Sequence, residues 1–150
     1  MKNILKEADY AEIRKRIMTL SDSSLRQWGK MEIQQMLVHC TTQLKLAVGE
    51  ISAQTRGPSF LRSGLGKWIL LSNLPWIKGA PTPDEMNVEK NNFLLTGIEM
   101  EKRDLLNYLE KAKGQVQLKP HPFFGNLSRN EWSRLIYKHI DHHLKQFGSY

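Results

Sequence analysis

The sequence predicts an all-α protein that forms a single four-helix bundle over residues 1–150, with a long crossover between its second and third helices. Four segments repeat apolar residues at the three- and four-residue spacing of an amphipathic helix. No useful length of the chain shows the apolar–polar alternation of a β-strand. The length of 150 residues, with 40% hydrophobic and 25% charged residues, suits one ordinary globular domain.

Sequence signals at the helix ends set the predicted boundaries. Asp9 and Glu12 match a capping box for the first helix, and Ser128 and Glu131 match one for the last. Gly114 suits the residue that follows the C-terminus of the third helix. The predicted helices cover about residues 9–20, 29–49, 88–112 and 129–147.

The segment between the second and third helices differs in texture, because glycines and prolines interrupt residues 50–86 repeatedly. We interpret it as a long crossover with one or two helical turns, an insertion of the kind that commonly covers a binding site. Alternatively, Trp68 and Trp76 cap the core of the bundle. The apolar patch at 68–77 is too short to span a bilayer, and a hairpin that contacts a membrane is the third interpretation.

The last helix carries the strongest functional signal, three of the five histidines in the chain. On a helical wheel with His139 at 0°, His143 lies at about 40°, inside the apolar arc, and His142 lies near −60°, between the two faces. His139 and His143 therefore form an inward i, i+4 pair whose imidazoles can share one metal ion. A further ligand can come from His39 or His121, and the helical wheel does not decide between them.

Other kinds of site find less support. Ile140 follows His139 at the position where a zinc-protease helix carries its general-base glutamate. The chain has no glycine-rich phosphate loop and no Gly-x-Ser-x-Gly elbow. Cys40 cannot form a dyad with His39, because neighbouring residues on a helix diverge by about 100°. We therefore predict that Cys40 lies in the core.

Composition limits location and partners. A single cysteine, with no recognisable secretory signal or membrane span, predicts a protein of the reducing cytoplasm. The net charge of +7 would suit a polyanion, but lysines and arginines are spread along every segment and no basic run is interleaved with aromatic residues. We therefore expect neither nucleic acid nor a membrane as a partner.

Three motifs stand out in the sequence: WGKM at 28–31, MLVH at 36–39 and HIDHHLKQF at 139–147. They resemble the corresponding motifs of the DinB-like superfamily of metal-dependent enzymes, and HPFFG at 121–125 is similar to an uncharacterised bacterial branch of that superfamily. The resemblance covers nearly the whole chain. It implies a four-helix bundle that binds a divalent metal, nickel or zinc, through one histidine of the second helix and two of the last. It also implies a homodimer.

Carried over to this chain, the resemblance implies His39, His139 and His143 as metal ligands. His121, His142 and Gln43 remain candidates for lining the pocket or supporting the ligands. The implied function is a hydrolase or thiol-dependent transferase that acts on a small molecule, with a thiol cofactor as an option and no catalytic residue yet defined.

The alternative to an enzyme is a non-catalytic metal-binding or stress-response module. A catalytic metal keeps water and an accessible cavity, whereas a structural metal is closed off. In either case we expect metal binding to weaken as the pH falls through about 6, because protonated imidazole cannot bind a metal.

Overall fold

The computed structural model describes residues 1–55, 57–72, 74–76, 78–79, 82, 84–88 and 90–150, and within these residues the predicted all-α class is confirmed. Ile77 of the predicted apolar patch lies outside the described residues. The α-helices of the described ranges are α1 (Glu7–Met18), α2 (Ile33–Val48), α3 (Gly64–Leu71), α4 (Ile98–Gly114) and α5 (Arg129–Gln146).

The four longer helices contact one another in a ring around a shared apolar core. Helix α2 packs against α4 and α5, and α1 packs against the same two helices from the other side. Leucines and isoleucines at helical spacing fill the interior, among them Ile13, Ile17, Leu37, Leu44, Leu105, Leu109, Leu135 and Ile136. This arrangement makes α2 and α5 neighbours, and these are the two helices that carry His39 and the histidine pair.

The predicted start of the third long helix is wrong by ten residues, because α4 begins at Ile98 rather than at 88. Gly97 has φ +103°, a backbone conformation that cannot continue a right-handed helix. The backbone N–H and hydroxyl of Thr96 both donate to the Glu101 carboxylate, at 3.0 and 2.9 Å. Consequently Leu94, which falls inside the predicted helix of 88–112, lies outside α4 and is 83% exposed.

The second helix also begins later than predicted, at Ile33 instead of 29. Gly29 has φ +78°, which excludes it from a right-handed helix. A capping box that the sequence analysis overlooked forms instead between Glu32 and Gln35, and it satisfies two backbone N–H groups at the true N-terminus. The residues before Glu32 therefore lie outside α2, and they contact the C-terminal end of α5, where the Trp28 carbonyl accepts a hydrogen bond from the Gln146 side chain.

Two predicted cap positions are corrected as well. Asp9 is not the N-cap of α1, which starts at Glu7; its carboxylate instead accepts a hydrogen bond from the backbone N–H of Asn3 at 3.0 Å. Gly114 is the last residue of α4 rather than the residue after it. Both corrections concern only the end of one helix, where a boundary is less sharply defined than the middle of the helix.

In its described residues the crossover contains α3 and two 3₁₀ turns, Ser59–Arg62 and Asp84–Met86. Helix α3 packs against α5, and Trp76 packs partly buried against the core. Trp68 is 70% exposed, so the prediction that both tryptophans cap the core is wrong for Trp68. Among the described residues, every helix is too short or too polar to cross a membrane.

Candidate metal centre

Contacts at its N-terminal end hold helix α5 in a defined orientation. The predicted capping box is present: the Ser128 hydroxyl accepts from the Glu131 N–H at 3.2 Å, and the Glu131 carboxylate accepts from the Ser128 N–H at 2.7 Å. One turn later Trp132 is completely buried and donates its indole N–H to the Lys119 carbonyl at 3.0 Å. A large anchored side chain fixes the rotation of the helix about its axis, so the histidine face stays turned inward.

Three histidines meet in the interior between α2 and α5. His39, His139 and His143 each offer a ring nitrogen, and these three nitrogens lie within 4.8 Å of one another. The ring centroids are 4.7–4.9 Å apart, and the three residues are only 4–7% exposed. Two nitrogens that bind one zinc ion at 2.0–2.1 Å are about 3.4 Å apart in tetrahedral geometry. A cluster of this size could therefore hold a divalent metal ion. We call it the histidine triad.

Hydrogen bonds to two carbonyl oxygens orient two of the rings. His39 Nδ1 lies 3.0 Å from the Met86 carbonyl, and His143 Nδ1 lies 2.8 Å from the side-chain carbonyl of Gln146. Carbonyl oxygens only accept hydrogen bonds, so each neutral ring must carry its proton on Nδ1 and a lone pair on Nε2. Imidazoles that bind metals are held in this way, with the second nitrogen donating to an oxygen.

His139 faces this pair of lone pairs. Its Nε2 lies 3.0 Å from His39 Nε2, and a hydrogen bond there requires the proton on His139 Nε2. A single proton can serve only one of the two acceptor nitrogens, whereas a metal ion can accept a lone pair from all three rings. His139 Nδ1 is buried without a hydrogen-bond partner among the described residues, so His139 is the least supported ring of the triad.

Burial lowers the pKa of all three imidazoles, because the charged form is poorly solvated in the interior. Repulsion from neighbouring imidazoles further lowers the pKa of His139 and His143. The rings are neutral at neutral pH and their lone pairs are available. Protons therefore compete with a metal only below the ordinary imidazole pKa of about 6.5. We accordingly lower the pH at which binding is expected to weaken from the value of about 6 that we predicted above.

His142 lies beside the triad but does not belong to it. It is half-buried, with its ring 5.7 Å from Trp28, 6.4 Å from Trp76 and 5.1 Å from His143. Its pKa is also lowered, chiefly by burial. This position agrees with its candidacy as a pocket residue.

His121 lies away from the triad, in the loop that precedes α5. Its ring stacks on Phe124 with centroids 4.3 Å apart, and its Nδ1 accepts the backbone N–H of Phe123 at 3.1 Å. Burial lowers its pKa to about 3. The structure thus brings His39, and not His121, to the histidine pair, while His121 shapes the loop.

Two more polar or reactive side chains of α2 are buried near His39. Gln43, one helical turn further on, is 2% exposed, and its side-chain oxygen has no hydrogen-bond partner among the described residues. A supporting role for Gln43 at the site stays a prediction. Cys40 is fully buried in the core, and burial raises the pKa of its thiol, so it is not poised as a nucleophile.

A cavity of about 360 Å³ is lined by neighbours of the triad, although none of the three triad histidines is among its described lining residues. Trp76 and His142 line this cavity. The Trp76 ring centroid lies 5.8 Å from that of His139, and the His142 ring centroid lies 5.1 Å from that of His143. The volume falls in the range of small-molecule pockets. The crossover helps to form the cavity, because Leu74, Trp76 and Lys78 line it. The same segment supplies the Met86 carbonyl that orients His39.

Gln146 is a site residue that the sequence analysis missed. Its side-chain oxygen orients His143, and its side-chain N–H donates to the Trp28 carbonyl at 2.9 Å. A Cβ atom at Gly29 would lie 2.6 Å from the Gln146 amide nitrogen, so the segment before α2 fits closely around this side chain. The only signal in the sequence is its position three residues after His143, on the same helix face.

Replacing Gln146 with methionine is expected to lower metal affinity by roughly 10–100-fold, since His143 would lose the acceptor that fixes its tautomer. Titration against a chromophoric chelator measures this affinity directly. Gln117→Met, an equivalent change at an exposed position, serves as the control and should bind as the wild type does. Equal affinity in the Gln146 and Gln117 variants would contradict the supporting role of Gln146.

Comparison with known proteins returns one match. A family model described as "Protein of unknown function (DUF1569)" matches residues 2–149. No curated protein and no solved structure matches the chain.

Proposed function

Since the chain belongs to the DUF1569 family, we propose from its site that it is a metal-dependent enzyme acting on a small molecule. His39, His139 and His143 would hold the metal, and the adjacent cavity would take the substrate. One observation carries the proposal: two carbonyl oxygens fix the tautomers of His39 and His143, so that each ring keeps on Nε2 a lone pair that a metal can use. Buried polar groups arranged this way are expensive unless something binds them.

The donor set favours nickel or zinc, because neutral imidazoles suit both ions. Three protein ligands leave a coordination position open, and a metal there supplies Lewis-acid activation of water or of a thiol. The reaction would be a hydrolysis or a thiol-dependent transfer, with a thiol as cofactor in the second case. His39 and His143 are held by their carbonyl partners, and the Trp76 ring packs against His139 with the ring centroids 5.8 Å apart.

We also propose that the protein is a DinB-like four-helix bundle. The closed ring of contacts among α1, α2, α4 and α5 and the long crossover support this topology, together with the motifs that resemble the superfamily. The resemblance further supports a homodimer in the cytoplasm. Light scattering should then return about twice the chain mass of 17.4 kDa, and a monomer at high concentration would refute the dimer.

The second candidate function is a non-catalytic metal-binding or stress-response module. The burial of the triad favours it, since the three histidines are only 4–7% exposed and a closed site is typical of structural metals. The adjacent cavity favours the enzyme, because a structural site has no need of one.

Cobalt substitution separates these two functions. We expect added 2-mercaptoethanol to change the visible spectrum of Co²⁺-loaded protein, because an open coordination position can accept a thiolate. His143→Ala protein with the same cobalt concentration is the control, and it should show no protein-dependent change. A Co²⁺ spectrum that thiols, cyanide and pH leave unaltered would mean a closed structural site and would refute the enzyme.

A further inference from the structure

One face of α5 lines the cavity with charged and polar side chains. Arg134, Lys138, Asp141, His142 and Lys145 follow one another at the spacing of successive helical turns, and all of them border the cavity. Lys2 and Lys78 border it from other segments. Among the described lining residues, five cationic side chains therefore accompany a single carboxylate.

The carboxylate and two of the cations already have partners. Asp141 pairs with Arg16 at 2.7 Å and with Lys145 at 2.8 Å, and Lys2 pairs with Glu12. These pairs neutralise one side of the cavity wall. They leave the excess of positive charge to the remaining lysines and the arginine.

The other three cations have no carboxylate partner among the described residues. Lys78 lies 4.2 Å from the ring centroid of Trp28, and Lys138 donates to the carbonyls of Leu70 and Ser72. The Arg134 side chain makes neither a hydrogen bond nor an ion pair within the described part of the chain, and its Nε is shielded from solvent although the residue as a whole is only partly buried. An unpaired guanidinium that borders a cavity can bind an anion, since its fork of N–H groups matches carboxylate and phosphate.

A second concavity shows the contrast. The groove of about 670 Å³ between α1 and α4 is larger, but the described residues that line it include no histidine. Most of its charges are matched locally, because Arg14 pairs with Glu110 at 3.3 Å and Lys113 pairs with Glu7 at 2.7 Å, which leaves Lys15 as the one lining cation without a carboxylate partner among the described residues. The cavity beside the triad has three such cations, so unpaired positive charge is more concentrated there than in the groove.

We propose that Arg134 binds the carboxylate or phosphate group of an anionic small molecule in the cavity beside the histidine triad. Trp28, Trp76 and Tyr137 give the same cavity an aromatic lining, so the ligand carries an apolar or planar body next to its anionic group. The proposal rests on the proposed function for the identity of this ligand as the substrate, because Trp76 and His142, which line the cavity, also pack against His139 and His143 of the triad.

The test is an NMR titration of zinc-loaded protein with benzoate and with benzamide, its neutral counterpart. The indole N–H signals of Trp28 and Trp76 report binding in the cavity, and that of exposed Trp68, which does not line it, is the internal reference. We expect Arg134→Gln to weaken benzoate binding by about tenfold or more, as for a lost charge-assisted contact. Arg103→Gln, an exposed arginine outside the cavity, should leave binding unchanged. Unfolding curves would confirm that both variants fold.

Three outcomes would overturn the role of Arg134: equal benzoate affinity in Arg134→Gln and wild type, equal affinity of the wild type for benzamide and benzoate, or no shift with either benzoate or phenyl phosphate. Comparison of benzoate with phenyl phosphate distinguishes a carboxylate site from a phosphate site. His143→Ala separates this inference from the proposed function. If benzoate binding is lost in His143→Ala but kept in Arg134→Gln, the anion binds the metal and not Arg134. If purified protein binds no metal yet benzoate binding still depends on Arg134, only the proposed metal chemistry fails.

Discussion

Replacing His143 with alanine is expected to abolish stoichiometric metal binding, and His39→Ala should do the same. The free energy of zinc binding at structural sites is about 10–16 kcal/mol, so one ligand of three or four contributes about 3 kcal/mol or more. Losing one ligand therefore weakens the affinity for zinc by roughly a hundredfold or more. Among the described residues, the group that could hold a metal ion consists of the three triad histidines alone, so no further ligand can replace one that is lost. Elemental analysis of protein purified without added metal, followed by equilibrium dialysis with zinc, measures the effect.

His142→Ala is the matched control, because His142 lies next to His143 in sequence and in space but outside the triad. It should retain metal at the wild-type ratio. Wild-type protein should also retain metal below pH 6, since burial lowers the pKa of each triad imidazole and delays competition by protons. Metal retained in His143→Ala, or lost in His142→Ala alone, would refute the assignment of the ligands.

Replacing Trp132 with alanine is expected to lower the free energy of unfolding by about 3–5 kcal/mol. Trp132 is fully buried, and its removal leaves a large cavity at the base of α5. The Lys119 carbonyl would also lose its indole donor, and His121 would lose one of its aromatic neighbours, 5.3 Å away. Urea denaturation followed by circular dichroism at the helical band gives the stability of each variant.

Trp68→Ala is the control for this change, since Trp68 is 70% exposed. Its stability should stay within about 0.5 kcal/mol of the wild type, as for most surface substitutions. If Trp132→Ala loses less than about 1 kcal/mol, the interior at the start of α5 can collapse around the missing ring. In that case Trp132 does not anchor the orientation of the histidine face.

Periodicity and capping signals were sufficient to predict the helical class and the course of α5. That helix begins at Arg129, directly after Ser128 of the predicted capping box formed with Glu131. The helical wheel correctly placed His139 and His143 on the buried side of α5. These are local properties, because a helix face is determined by residues three and four apart. The predicted start of α4 was wrong because the apolar pattern continues before Gly97, and the sequence alone does not show that Gly97 adopts a positive φ that interrupts the helix.

The composition of the candidate site depended on contacts between distant parts of the chain. His39 lies on the same face of α2 as the polar residues Gln35 and Gln43, and only the packing of α2 against α5 buries His39 beside His139. The groups that orient the triad follow no pattern that periodicity can detect: Met86 contributes a backbone carbonyl, and Gln146 is one polar residue among several near the end of α5. Sequence alone therefore determined which helix presents a histidine pair. Tertiary structure decided which third histidine meets that pair and that the Met86 carbonyl orients His39, because residues that are 47 or 100 positions apart become neighbours only when the chain has folded.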